Sequence, residues 1–367
     1  MIMKCKTKST LLSLTSPKKQ IFQYINGPVV FKGCINKQDK NDLPTRLFLS
    51  IGYRSIPIRR TKQSDGEIEF CHYFSTGGGL KRLQFHVHNE HGSEIIWQGI
   101  IYHRPPKDGV YLSSGALPPL PSSHNISPQQ CGSVSAKIAV ILHLHYLDLW
   151  NEFAAHISQL PQAFDLYIST PDRQCTQARE IISQQFPNAK IFPVENRGRD
   201  ILPFLHIFKQ MPRWQYDYIC KIHSKKSPQR FDGDRWRRLL LQDLLGSPTI
   251  INHTLQRFTA DSRLGIITPF DSLATFHKTQ GLNQILIDKL ICKLGLSNAS
   301  FAFPKGSMFW ARPQVLEPLL TLNLGPSDFP DEAGQLDGTM AHAVERAFGL
   351  AALKANFSCA ETPDILL

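Results

Sequence analysis

Strand-like and helix-like patterns alternate from residue 136 onward, and this alternation constrains the fold more than any other feature of the chain. It predicts strands at 137–146, 164–170, 189–195, 216–223, 264–269 and 301–311, and helices at 147–160, 172–186, 201–211, 234–246, 279–294 and 337–354. Strands that alternate with helices form βαβ units and a mostly parallel sheet. We therefore predict an α/β, Rossmann-like domain over 136–360, whose ligands bind at the carboxyl ends of the strands.

The region before this domain has a period of two residues. Between about 26 and 103, apolar residues such as Leu47, Leu49 and Ile51 alternate with other residues, and turn-forming glycines separate the runs. This pattern predicts a small accessory β-sandwich of antiparallel strands over 26–103. Residues 1–25 are predicted to be a flexible basic leader, and 104–135, with scattered Pro, Ser and Gly, a linker.

The chain is strongly basic, with a net charge of +11 and a pI of about 9.3. This charge indicates an anionic partner, such as a nucleotide phosphate, nucleic acid or an acidic membrane surface. No apolar run approaches the roughly 20 residues that a spanning helix needs, so we expect a soluble or peripheral protein. The eight cysteines lack metal-ligand spacing, which favours free thiols in a reducing cytoplasm.

Four cationic or imidazole side chains crowd the end of the predicted strand 216–223. A basic run usually belongs to a solvated face, but this one begins inside the strand, at the end where such sheets bind ligands. We therefore predict that it binds a diphosphate through charge-assisted hydrogen bonds. The residues are Lys221, His223, Lys225 and Lys226.

The segment N-R-G-R-D joins a predicted strand to a predicted helix. As a purely structural element, Gly198 would supply a positive φ and Asp200 would cap the helix. Two arginines beside the glycine exceed what a turn needs, and their guanidinium groups suit a diphosphate or a paired carboxylate. The candidate residues for diphosphate binding here are Asn196, Arg197, Gly198, Arg199 and Asp200.

His143 and His145 end the first strand of the α/β domain and lie on one face of it. An H-x-H pair can ligate zinc, so a metal hydrolase is one alternative. No carboxylate–histidine set follows to complete such a site. We therefore favour contact with a nucleotide, and elemental analysis of the purified protein would distinguish the two.

Two carboxylates precede the last predicted helix. Asp337 is at its start and Glu332 lies five residues upstream in a turn-rich loop. Asp337 could be a simple N-cap, but such a pair also resembles a general base and its neighbour. His342, Glu345 and Arg346 fall on a different face of the helix from its apolar residues and could line the same site.

Taken in order, six segments resemble the rhamnan synthesis protein F family of bacterial polysaccharide glycosyltransferases. The resemblance runs from about 138 to 350 and leaves the β-rich front region uncovered. The six segments are H-L-H-Y-L-D-L-W, F-D-L-Y-I-S-T, N-R-G-R-D-I-L-P-F, K-I-H-S-K-K-S, G-S-M-F-W-A-R and D-G-T-M-A-H-A-V-E-R.

The order of the segments is also similar to that in nucleotide-sugar transferases of the glycosyltransferase A fold. This resemblance implies that Asp337 is the catalytic base, with Glu332 as the second candidate. His223-Ser224-Lys225 stands where those enzymes have a D-x-D metal motif, and it cannot hold a hard divalent cation. We expect no required cofactor, although a divalent metal stays an alternative. The acceptor-side residues would be Gly306, Met308, Trp310, Arg312, His342, Glu345 and Arg346.

The resemblance implies a cytoplasmic, inverting hexosyltransferase that uses a nucleoside-diphosphate sugar such as dTDP-rhamnose. It would add rhamnose or another deoxyhexose to a growing cell-surface polysaccharide, such as the O-antigen of lipopolysaccharide, or to a lipid-linked glycan. Contact with the inner face of the plasma membrane and with other glycan-assembly enzymes would fit this role. The alternative is a non-catalytic protein that binds glycan or nucleic acid. Nucleic acid is disfavoured because the cations do not interleave with aromatic residues.

Overall fold

The computed structural model describes the chain in segments, which group into two compact units. One unit comprises Met1–Leu117, Ser227–Arg235 and Asp364–Leu367, and the other Pro118–Lys226 and Trp236–Pro363. The described segments are 12–16, 22–26, 29–36, 46–51, 54–58, 60–64, 67–74, 79–89, 92–104, 120–121, 134–224, 226, 233–276, 281–297, 300–335 and 337–363.

The described strands of the first unit form two β-sheets. One has the strand order β1-β3-β7-β6 and the other β2-β9-β8-β4-β5, and neighbours are antiparallel except for the parallel pair β2–β9. The strands are β1 (Leu12–Ser16), β2 (Phe22–Asn26), β3 (Val29–Asn36), β4 (Arg46–Ile51), β5 (Arg54–Ile58), β6 (Arg60–Ser64), β7 (Glu67–Phe74), β8 (Gly79–Asn89) and β9 (Gly92–Arg104).

The two-residue period of the sequence corresponds to burial in these strands. Leu47 and Leu49 of β4 are buried, as are Leu83 and Phe85 of β8, and the residues between them are half-buried. The structure differs from the prediction at residues 1–25, because β1 lies in the expected leader and pairs with β3.

The second unit is an α/β domain. Its strands are β10 (Ile138–His143), β11 (Phe164–Pro171), β12 (Lys190–Val194), β13 (Tyr218–His223), β14 (Leu264–Thr268), β15 (Leu273–Thr275), β16 (Ala302–Pro304), β17 (Phe309–Ala311) and β18 (Ser358–Glu361). Its helices are α1 (Trp150–Ile157), α2 (Cys175–Ser183), α3 (Ile201–Gln210), α4 (Gly233–Leu245, which begins in the first unit), α5 (Pro248–Ala260), α6 (Gln284–Lys293), α7 (Pro313–Thr321) and α8 (Met340–Lys354).

A seven-stranded sheet of order β12-β11-β10-β13-β17-β14-β18 forms the centre of this domain. The pairs are parallel except for those that β17 makes with β13 and β14. Separate hydrophobic clusters cover the two faces, because neighbouring strand residues point to opposite sides. The predicted α/β class, with helices flanking a mostly parallel sheet, is confirmed. None of the helices in the described segments is long and apolar enough to cross a membrane.

Several elements differ from the prediction. The predicted strand 301–311 is two strands in different sheets, β16 and β17, because Gly306 and Ser307 between them have positive φ values of 89° and 50°. Helix α5 was not predicted, although Ser247 caps it and Pro248 occupies its first turn, which are helix-start signals. β15, α7 and β18 were also not predicted.

Close packing of α8 against β16 gives a prediction about stability. A Cβ on Gly349 would lie 2.1 Å from the carbonyl oxygen of Ala302, so Gly349→Ala forces the helix and strand apart. We expect a loss of about 1–3 kcal/mol in the free energy of unfolding, measured by urea denaturation. Gly325→Ala is the control, because nothing lies within 4 Å of its Cβ position and its φ is −128°. Equal losses in both variants would contradict this account.

Candidate active site at the carboxyl edge of the sheet

The ends of three parallel strands bring polar side chains together at one edge, here called the carboxyl edge. His143, the last residue of β10, is in register with Ser169 of β11 and with His223 of β13. His143 Nδ1 lies 3.0 Å from Ser169 Oγ. Both histidines are buried, with 8% and 5% of their surfaces exposed. The strand register alone therefore builds the floor of a site.

Asp200 is the centre of this floor. Its Oδ2 accepts hydrogen bonds from Lys221 Nζ at 2.5 Å and from Ser307 Oγ at 2.6 Å. His223 Nδ1 lies 3.3 Å from the same oxygen. Asp200 occupies the N-cap position of α3 but makes no capping hydrogen bond with its side chain. Its carboxylate therefore joins α3, β13 and the turn before β17 instead of capping the helix.

Lys221 is in the protein interior. It is 1% exposed, and Nζ also donates to the backbone oxygen of Ser307 at 2.8 Å. The ammonium group lies 5.3–5.9 Å from the ring centres of Phe204, Phe309 and Phe348. The prediction that Lys221 contacts a diphosphate does not fit this position, since its hydrogen bonds are made to protein atoms away from solvent.

The charges of the floor follow from this arrangement. Burial alone would raise the pKa of Asp200, but the positive charges of His223 and Lys221 hold it far below its usual range. Burial lowers the pKa of Lys221, and Asp200 opposes that shift. Burial also lowers the pKa of His143 to about 4, with Asp200 opposing and His145 and Lys221 adding to the shift. His143 is therefore neutral at physiological pH.

The segment after β13 is joined to the segment after β10. Ser224 Oγ accepts hydrogen bonds from the backbone N–H groups of His145 at 2.8 Å and Tyr146 at 3.0 Å. Lys226 Nζ donates to Asp148 at 2.6 Å and lies 4.6 Å from the centre of the Tyr146 ring. Lys226 is thus at the rim of the carboxyl edge, whereas Lys225 lies outside the described residues.

Arg199 and Glu332 form the open side of the site. Arg199 has a φ of 55°, and its Nε lies 3.4 Å from Glu332 Oε2. Its guanidinium group also contacts His342 Nε2 at 2.9 Å and the backbone oxygen of Gln335. Burial and Arg173 lower the pKa of half-buried His145, and Glu332 opposes that shift. The opposing effect means that Glu332 is close enough to His145 to act on it electrostatically.

Asp337 anchors a neighbouring segment. Its Oδ2 accepts from the backbone N–H of Leu282 at 3.1 Å, and its Oδ1 accepts from the side chains of Asn283 and Arg346. Burial would raise its pKa, but these hydrogen bonds and the charge of Arg346 lower it overall. The N-cap of α8 is Thr339, so Asp337 is not the helix cap that one interpretation of the sequence suggested.

The remaining residues of the N-R-G-R-D segment hold the backbone of the site. Arg197 contacts the carbonyl oxygen of Phe329 at 2.8 Å and also pairs with Asp331. Gly198 has a φ of 66°, and a Cβ there would lie 2.6 Å from the Cβ of Leu202, so glycine is required. Asn196 is exposed. Arg197 and Gly198 therefore fix the loop that presents Arg199 and Asp200.

The predicted acceptor-side residues separate into two groups. Glu345 and Gly306 stay near the carboxyl edge, since Glu345 Oε1 accepts from the backbone N–H of Gly306 at 2.6 Å. His342 contacts Arg199, and Arg346 contacts Asp337 as described above. The other group, Met308, Trp310 and Arg312, runs from the core toward the opposite edge.

This second group is displaced because β17 is antiparallel to β13. Met308 and Trp310 are buried in the core, and Trp310 Nε1 donates to the backbone oxygen of Leu244. Arg312 contacts the carbonyl oxygens of Leu264 and Phe258, at the end where the parallel strands begin. Sequence order alone does not reveal that the chain reverses direction at this point.

Ser169, Ser224 and Ser307 were not among the predicted site residues. Single serines carry little signal, although all three lie inside segments that carried the family resemblance. Arg237 and Arg238 of α4 both hydrogen-bond to Glu152. Within the described segments, no group of three or more His, Cys, Asp or Glu side chains is arranged to hold a metal ion.

The neutral His143 predicts a pH dependence of stability. Its folded pKa of about 4 is below the unfolded value of 6.5, so the unfolded chain binds more protons between these pH values. The contribution of His143 to the free energy of unfolding is fully present above about pH 6.5. It falls by up to about 3 kcal/mol as the pH drops toward 4. His143→Gln, which stays uncharged, should remove that part of the decline in urea denaturation across pH 7 to 4. Parallel curves for the two proteins would contradict the assignment.

The solved structures that resemble this chain carry too little similarity to support an argument. An endo-beta-1,4-mannanase from Thermotoga petrophila has a TM-score of 0.21 and 10% identity, covering 26% of this chain and 20% of that one. Murine CRIg has a TM-score of 0.17 and 11% identity, covering 26% of this chain and 98% of that one.

Sequence relatives are more informative. Two proteins from strains of Xanthomonas campestris pv. campestris, each described as uncharacterized protein WxcX, are 36% identical over 219 residues. That region is 59% of this chain and 31% of each relative, so the chain spans about a third of their length.

The family described as rhamnan synthesis protein F matches residues 84–357. The match begins in β8, earlier than the resemblance found from the sequence motifs, and it contains every described residue of the carboxyl edge. With three-quarters of its length matched, the chain belongs to the rhamnan synthesis protein F family.

Proposed function

We propose that this protein is a glycosyltransferase that transfers rhamnose or another deoxyhexose from a nucleoside-diphosphate sugar to a polysaccharide or lipid-linked glycan. The observation that carries the proposal is the carboxyl edge, where Glu332 pairs with Arg199 and the neighbouring Asp200 makes a buried pair with Lys221. The second carboxylate, Asp337, holds the adjoining turn before α6. Family membership supports a role in rhamnan or polysaccharide synthesis. A glycosyltransferase A-like arrangement and a cytoplasmic location are parts of the same proposal.

The proposed reaction is a direct displacement with inversion at the anomeric carbon. A hydroxyl oxygen of the acceptor forms a bond to the anomeric carbon, and the bond from that carbon to the diphosphate oxygen breaks. The electron pair of the broken bond leaves with the nucleoside diphosphate. The hydroxyl proton passes to a carboxylate that acts as general base. The chain must therefore supply one available carboxylate and nearby positive charge.

Glu332 is the better candidate for the base. Both oxygens of Asp337 accept hydrogen bonds from the protein, and its lowered pKa makes it a weak proton acceptor. Glu332 has a single described ion pair, with Arg199. We therefore assign proton acceptance to Glu332 and positioning of the 281–283 turn to Asp337. This assignment reverses the order that the resemblance implied.

Positive charge for the leaving diphosphate would come from the rim. Arg199 and Lys226 have about a third of their side-chain surfaces exposed, 35% and 37%. Both are held in place by carboxylates, Glu332 and Asp148, so little conformational entropy is lost on binding. Lys221 would contribute only through Asp200, by fixing the position of His223. Preorganised charge of this kind stabilises negative charge that develops during reaction.

We also propose that transfer needs no divalent cation. The carboxylate nearest to the position of the missing acidic motif is Asp200, and one of its oxygens already accepts from Lys221 and Ser307 beside His223. An ammonium and an imidazole next to a carboxylate oppose the binding of a hard cation, which requires oxygen ligands.

A screen of nucleotide sugars tests the proposed function. The full chain would be incubated with dTDP-, UDP- and GDP-linked sugars, and release of the nucleoside diphosphate would be measured with and without EDTA. We expect turnover of a deoxyhexose donor that persists in EDTA. Binding of glycan without turnover of any sugar donor would instead support a non-catalytic protein, and loss of turnover in EDTA that Mg²⁺ restores would contradict metal independence.

Two substitutions distinguish the carboxylates. Glu332→Gln should lower kcat by about 10²–10⁴-fold while affinity for the sugar donor changes little. Asp337→Asn should lower thermal stability and reduce kcat less, because the amide keeps only part of its hydrogen bonding. Glu180→Gln, at an exposed position on α2, is the matched control and should retain turnover. Full activity of Glu332→Gln together with an inactive but folded Asp337→Asn would reverse the assignment.

A further inference from the structure

Two large aliphatic side chains are strongly exposed beside Asp337. Leu282 is 80% exposed and Ile285 is 72% exposed. Leu282 belongs to the turn before α6, and Ile285 is in the first turn of that helix. Exposed aliphatic residues occur singly on most proteins, but a neighbouring pair at the rim of a site points to a contact surface.

The outward face of α6 adds positive charge to this pair. Ile287, Leu290 and Ile291 are buried against the domain, so the helix has one solvent face. That face carries Lys289 and Lys293 after Ile285. It also carries exposed Asp288, which accepts a hydrogen bond from Gln284, and exposed Cys292. The face is thus aliphatic at its start and mainly cationic toward its end.

We propose that the α6 face, defined as Leu282, Ile285, Lys289 and Lys293, docks on the surface of an anionic lipid bilayer. Leu282 and Ile285 insert at the boundary between headgroups and acyl chains, and the two lysines contact anionic headgroups. The net charge of +11 attracts the whole chain to the same surface.

The composition of the face favours a bilayer over a protein partner. Lysine is depleted at protein interfaces, whereas lysine beside exposed aliphatic residues is typical of helices that bind membrane surfaces. Two aliphatic side chains also form too small a patch for the apolar centre of a stable protein interface.

Docking would place the site at the membrane. The backbone N–H of Leu282 and the side chain of the next residue, Asn283, both donate to Asp337. The inserted residues are therefore directly attached to the rim of the carboxyl edge. This inference does not depend on the proposed glycosyl transfer, and a binding measurement without any sugar substrate can test it separately.

The experiment is co-sedimentation of the full chain with phosphatidylcholine vesicles that contain or lack phosphatidylglycerol. Leu282→Ser/Ile285→Ser and Lys289→Gln/Lys293→Gln should each reduce partitioning onto the phosphatidylglycerol vesicles by on the order of tenfold. All substituted residues are exposed, so thermal unfolding should be unchanged, and this is checked first. Trp214→Ser is the matched control, because Trp214 is 62% exposed and lies before β13, at the opposite edge of the sheet.

Salt separates the two contributions. At about 1 M salt, where charges act over only about 3 Å, the lysine variant should bind like the wild-type chain, and the aliphatic variant should still bind more weakly. Wild-type partitioning of the Leu282→Ser/Ile285→Ser variant at low salt would overturn the proposal. So would a larger loss in Trp214→Ser, or capture of the α6 face by a soluble protein with no vesicle binding at all.

Discussion

The buried contact between Asp200 and Lys221 is the interaction on which the carboxyl edge depends. One carboxylate oxygen joins the start of α3, the end of β13 and the turn at Ser307 before β17. Removing a charge from such a pair leaves the other charge buried without compensation, which typically costs about 3–5 kcal/mol. The ammonium also lies among three phenylalanine rings, where an unpaired carboxylate or ammonium could not be solvated. The positions of α3, β13 and the Ser307 turn relative to one another therefore depend on this pair.

The buried pair also divides the site into a rigid floor and a charged rim. The floor consists of the Asp200–Lys221 pair together with His143, Ser169 and His223, which the register of the sheet positions at the ends of neighbouring strands. The rim consists of Arg199, Glu332 and Asp337 on loops that hydrogen bonds to α8 and the 281–283 turn hold in place. A rigid floor beneath accessible charged groups is the preorganisation that transfer from a diphosphate leaving group requires. The exposed aliphatic residues next to Asp337 continue this rim onto a surface suited to a bilayer.

The sequence predicted the α/β class and the edge at which the polar motifs meet, because periodicity and motif position are local properties. It did not predict that Asp200 pairs with Lys221, since the two are 21 residues apart and only the folded sheet brings them together. Lys221 was predicted to bind a diphosphate, although its place between Cys220 and Ile222 in a buried strand was a signal of burial. Trp310 and Arg312 were assigned to the site from their order in the chain. The antiparallel direction of β17 moves them away, and one sequence does not encode strand direction in a readable pattern.

A double-mutant cycle on the buried pair tests whether the carboxyl edge depends on the contact between Asp200 and Lys221. The free energies of unfolding of Asp200→Asn, Lys221→Met and the double variant would be measured by urea denaturation at pH 7. We expect each single substitution to lower the free energy of unfolding by about 3–5 kcal/mol. The double variant should lose clearly less than the sum of the two, because it leaves no unpaired charge buried. Additive losses, or single variants with nearly wild-type stability, would show that the carboxyl edge does not depend on this pair.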